Sequence, residues 1–105
     1  MVDLGFMLDQ ATAEIDRLDE EAVKAKAAHR VAYARAFIEA QGPVDVRKNL
    51  ATVKCETLAF EWDIAEQKVR ACKQRLRTLE SQIDIARSLG ATIRSEWAAS
   101  GLGLP

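Results

Sequence analysis

From Ala51 to Trp97 the apolar side chains recur at alternating steps of four and three: Ala51, Cys55, Leu58, Trp62, Ala65, Val69, Cys72, Leu76, Leu79, Ile83, Ala86, Gly90, Ile93 and Trp97. A repeat of this kind keeps one narrow seam turned toward one neighbouring helix along its whole length. The same arithmetic runs through the first third of the chain, in Leu4, Leu8, Ala11, Ile15, Leu18, Ala22, Ala25, His29, Ala32 and Ala36. The partner seam is therefore present in the same polypeptide. Between the two lies Gln41-Gly42-Pro43-Val44-Asp45, where glycine suits a helix end and proline cannot continue one. The pattern predicts an all-α fold, a long antiparallel coiled-coil-like hairpin. Its first helix spans about 4–40, its turn 41–45 and its second helix about 46–88, capped at its start by Asp45.

Gly90 falls on the stripe, where glycine is a poor interior residue. It predicts a kink or cap followed by a short third helix, about 91–99. In the hairpin register the first helix runs out opposite about Asp84. Ile93 and Trp97, with Leu102 and Leu104 behind them, must then fold back on Phe6, Met7 and Leu8 or be covered by a second molecule. Gly101, Gly103 and Pro105 suggest a frayed end.

Apolar residues off the main seam extend the picture. Val23, Ala27, Val31, Ala34 and Ile38 form a second strip on the first helix, and Phe60 and Ile64 lie off the seam of the second. One hairpin does not cover both sides of a helix. The simplest solution is a homodimer in which two hairpins build a helical bundle, with Phe60, Ile64, Ile93 and Trp97 as the expected oligomer or partner interface.

Charge placement agrees with the hairpin. Glu14, Asp19 and Glu21 flank the first seam, and Lys68, Lys73 and Arg75 the second, so folding about Gly42 brings Glu14 near Lys73 and Arg75, and Asp19 and Glu21 near Lys68. The 105 residues carry a net charge of −1 with 30% charged residues. Bulk attraction to nucleic acid or to an anionic membrane is not expected at that balance. Local attraction is a separate matter: Arg47, Lys48 and Lys54 near the turn and the outward-pointing Arg70 and Arg77 are the candidate nucleic-acid contacts.

Catalytic chemistry finds little support. The single histidine, His29, lies in Lys26-Ala27-Ala28-His29 rather than in the Glu-x-x-His spacing that holds paired metals, and is expected to be a register-setting polar residue or a rim contact. Two cysteines and one histidine are too few nitrogen and sulfur ligands for zinc. Cys55 and Cys72 are seventeen positions apart on one predicted helix, roughly 25 Å at helical rise, which excludes an internal bridge. With no nucleophile beside a base, no phosphate-cradling glycine loop and no cofactor fingerprint, no enzyme, metal or cofactor is expected. No run of apolar residues is long enough to span a membrane, and the start lacks the features of a secretion signal, so a cytoplasmic protein is expected.

Three stretches, Ala28-His29-Arg30-Val31-Ala32-Tyr33-Ala34-Arg35-Ala36, Gly42-Pro43-Val44-Asp45-Val46-Arg47-Lys48 and Arg87-Ser88-Leu89-Gly90-Ala91-Thr92-Ile93-Arg94-Ser95-Glu96, resemble small helical proteins encoded by tailed phages of actinobacteria. The resemblance covers residues 28–97. It implies an early protein of the host cytoplasm, from a group found among recombination and replication genes, and carries over no functional residue. Secreted helical hairpins with Trp-x-Gly at the turn differ at that point, since here the turn reads Gln41-Gly42-Pro43. Together these observations lead to the expectation of a non-enzymatic protein-interaction module, with a nucleic-acid-binding accessory protein and a virion assembly or scaffold protein as alternatives.

Overall fold

The computed structural model describes residues 3–101. Three helices follow one another: α1 (Leu4–Glu39), α2 (Val44–Lys54) and α3 (Glu56–Ala99). The chain forms an antiparallel hairpin drawn out to 85 × 21 × 15 Å. Its start is set by Asp3, whose carboxylate accepts the Phe6 N–H at 3.0 Å and satisfies one of the donors a helix leaves unpaired there.

The two stripes meet as their spacing predicts. On α1 every seam residue from Leu4 to Ala36 is buried or half-buried, and on the second arm the same holds from Ala51 to Ile83. Two tight clusters anchor the pairing: Leu18, Val69 and Cys72 with Ile15 and Ala22 packed against them, and Ala36, Ala51 and Cys55 with Ala32, Tyr33 and Phe37. The second cluster brings three small side chains together, which lets the backbones approach closely beside the turn. The thiol of Cys72 donates to the Ala11 carbonyl at 3.5 Å across the seam.

The breaks along the second arm lie elsewhere than expected. The helix begins at Val44, with Pro43 as its cap and Asp45 inside the first turn, where a carboxylate meets the positive helix end. Gly42 takes a φ of +111°, a conformation that favours glycine. The arm then bends at Cys55 (φ −101°, ψ 14°). Hydrogen bonds nevertheless continue through the bend, from the Cys55 N–H to the Ala51 carbonyl and from the Ala59 N–H to the Cys55 carbonyl, both 3.0 Å. The bend allows α2 to lie on the end of α1 while Ala51 and Cys55 stay in one cluster with Ala36.

At Gly90, by contrast, there is no interruption. The expected kink is replaced by continuous α-helix to Ala99, so the short helix of the fold follows the turn instead of closing the chain. A lone glycine weakens a helix by about 1 kcal/mol, and without a following proline the good helix formers on both sides outweigh it. As a result α3 runs past the start of α1 as a continuous helical overhang. Ile93 and Trp97 do not fold back on Phe6, Met7 and Leu8, and are 49% and 44% exposed; Leu102, Leu104, Gly103 and Pro105 lie outside the described residues.

Candidate interaction surface

The basic residues near the turn are largely occupied within the fold. Arg47 donates from Nε and Nη2 to the Phe37 carbonyl at 3.2 and 3.0 Å, and its guanidinium lies 4.3 Å from the centre of the Phe37 ring. No basic residue stands in the last turn of α1. Arg47 supplies the missing cation from α2, at the helix end where backbone carbonyls are unpaired and the dipole is negative. Lys54 pairs with Glu39 at 3.2 Å, and Arg70 with Glu66 at 3.9 Å and with the Gln67 side chain at 2.9 Å. Lys48 and Arg77 are exposed. The five candidate nucleic-acid contacts therefore do not converge into one basic patch.

Of the charges beside the seam, Glu14 meets Arg75 as expected. Asp19 does not face Lys68, because the two occupy opposite edges of the hairpin. Asp19 shares a groove with Lys26, Glu66 and Arg70, whereas Lys68 shares the other with Glu14, Arg17 and Arg75. Glu21 pairs along its own helix with Arg17 at 2.8 Å. Such exposed pairs each contribute roughly 0–1 kcal/mol and act mainly on register.

Midway along the hairpin lies a cluster that the spacing alone did not single out. His29 stacks at a tilt between Tyr33 (6.0 Å between ring centres) and Trp62 (5.5 Å). The indole N–H of Trp62 donates to Glu66 at 2.7 Å, and the Lys26 ammonium stands 5.7 Å from the Trp62 ring centre. Residues of both arms interlock here with their polar ends at the groove. The signal was present in the register, since residues 29 and 62 sit opposite each other once the hairpin closes at Gly42. Among the described residues, no group of three or more His, Cys, Asp or Glu side chains is placed to hold a metal ion.

Exposed apolar surface is spread along the rod, with Val46, Leu50 and Val53 on α2 and two further regions on α3. Phe60 (64% exposed) and Ile64 (41%) lie on the side of α3 away from α1, beside a shallow hollow lined by Glu56, Thr57, Ala59 and Asp63. The far end of α3 carries another, where Ile85 and, on the overhang, Leu89, Ile93 and Trp97 are all exposed. These four stand every fourth residue and so form one ridge along the helix. The expected interface residues Phe60 and Ile64 are thus some thirty positions, roughly 45–50 Å at helical rise, from Ile93 and Trp97, and are not brought together within one chain. Val23, Val31 and Ile38 of α1 are exposed as well, Val23 at the edge of the groove it shares with Glu66, Val69 and Arg70.

Comparison with family models, with curated proteins and with solved structures found no match to this chain. Among the described residues no helix is long and apolar enough to cross a membrane.

Proposed function

We propose that the protein is a non-enzymatic interaction module, a helical rod that self-associates and presents its apolar surfaces to other proteins. One observation carries this reading: α3 outruns α1 and leaves Leu89, Ile93 and Trp97 exposed and without a partner helix in their own chain. Contiguous apolar ridges on so small a protein are costly in water and mark contact surfaces. A chain of this size also has little core to spare, and self-association supplies more. The resemblance to small phage proteins suits an accessory factor in phage DNA metabolism or host takeover that works by such contacts inside the host cell.

A nucleic-acid-binding role is the weaker reading, because Arg47, Lys54 and Arg70 already have partners within the fold. Retention on DNA is expected to be absent even at low ionic strength, where phosphate contacts are strongest. Light scattering at micromolar concentration tests the leading reading. The expected mass is near twice the 11.6 kDa of the chain, and a strictly monomeric species overturns it.

A further inference from the structure

Two features of the far end of α3 lie side by side. Ile85, Leu89, Ile93 and Trp97 form a ridge of large residues, and next to it Ala86 and Gly90, also four apart, leave a groove with almost no side chain. Gly90 is open enough that an added Cβ would meet only the mobile end of Arg94, at 3.5 Å. At the inner end of the groove the first turns of α1 complete an open hollow of about 560 Å³, lined by Leu4, Gly5, Leu8, Ile83 and Ala86 with Asp9 and Arg87 at the rim.

The geometry points to a second copy of this chain as the occupant, its overhang laid antiparallel on the first about a two-fold axis near Ala91 and Thr92. This inference rests on the self-association proposed above and names the surface that performs it. In the antiparallel arrangement the ridge of each copy enters the groove of the other, Ile93 covering Gly90 and Trp97 meeting Ala86 at the mouth of the hollow. A ridge built on every fourth residue crosses its partner at an angle, which carries the incoming helix clear of the first turn of α1. Parallel copies would instead set Trp97 against Trp97 and Gly90 against Gly90, and would steer each α3 into the space α1 fills.

Length, charge and area agree with that occupant. From Ala86 to Ala99 the overhang is about 21 Å long at helical rise, so the helical part of each copy matches that of the other in length. The overhang carries Arg87, Arg94 and Glu96, and about the stated axis Arg87 of each copy falls opposite Glu96 of the other, an attraction of opposite charges. The ridges and grooves of two copies together would bury on the order of 1,000 Å², near the lower bound for a specific interface. A dimer in the micromolar range is the expected consequence.

Variants and cross-linking test the arrangement. Ile93→Asp is expected to weaken self-association at least a hundredfold while helix content stays unchanged, because residue 93 faces solvent in the single chain. Gly90→Cys and Ile93→Cys chains, mixed and mildly oxidised, are expected to link to each other more readily than either links to itself. Self-linking of Gly90→Cys in preference to the mixed product indicates parallel helices and overturns the inference. A dimer that survives Ile93→Asp but is lost in Ile64→Asp also overturns it, and leaves the broader interaction reading in place. A wild-type monomer removes both.

Discussion

Among single residues, Arg47 illustrates how a side chain that looks available on paper is committed in the folded chain. As sequence it belongs with Lys48 and Lys54 in a basic group near a turn, and that grouping suggests phosphate. In the fold its two donors close off the Phe37 carbonyl and its plane stacks on the Phe37 ring. Arg47→Ala is therefore expected to destabilise the hairpin by about 1–3 kcal/mol in a denaturant titration, the range for a hydrogen-bonded charged group. Arg47→Lys should recover only part of that loss, since an ammonium lacks the planar fork that satisfies one carbonyl twice and stacks on an aromatic face. This role was not legible in the sequence because it depends on where the last carbonyls of α1 point, which the turn decides. The seam residues were legible, since Leu18, Val69, Cys72 and Leu79 are buried by periodicity alone. Leu79→Ala is expected to cost about 2–5 kcal/mol by the same measurement, as for other truncations of a buried leucine.

At the level of elements, the turn and the break points separate what local signals decide from what packing decides. Gly42-Pro43 was readable because two residues act in the same direction, one admitting an unusual φ and the other removing a donor. Gly90 acts alone and is overruled, so α3 passes through it. The bend at Cys55 has no glycine or proline to announce it; it lies where the seam residues Ala36, Ala51 and Cys55 pack together, and no local signal marks it. Gly90→Ala is a direct check on continuity. In dilute, monomeric protein it is expected to stabilise the helix by roughly 0.5–1 kcal/mol, seen as a higher melting temperature, whereas a true cap at that position would lose stability on gaining a Cβ. The exposed end of α3 is legible in part: register arithmetic ends the pairing near Asp84 and leaves Ile93 and Trp97 either to fold back or to be covered by a second molecule, but it does not show that the helix continues unbroken through Gly90.

As a whole molecule the protein is long and thin, and its dimensions discriminate between modes of assembly. A dimer joined through the overhangs should extend well past the 85 Å of one rod, to roughly 150 Å once the overlap of about 21 Å at helical rise is allowed for. A bundle formed through Phe60 and Ile64 would stay close to the length of one rod, so small-angle scattering at micromolar concentration separates the two. The candidate surface was legible only in outline, because the sequence named Ile93 and Trp97 together with Phe60 and Ile64 and did not show that they occupy distant parts of the rod. The narrow cross-section has one more outcome. Both cysteines are free and sit in the seam, Cys55 beside the turn and Cys72 near mid-length, so a thiol reagent reaches each only when the arms part locally. In a body two helices thick, successive stretches are held by their immediate neighbours rather than by a common centre, and the two sulfurs become independent clocks for the unzipping of its two halves.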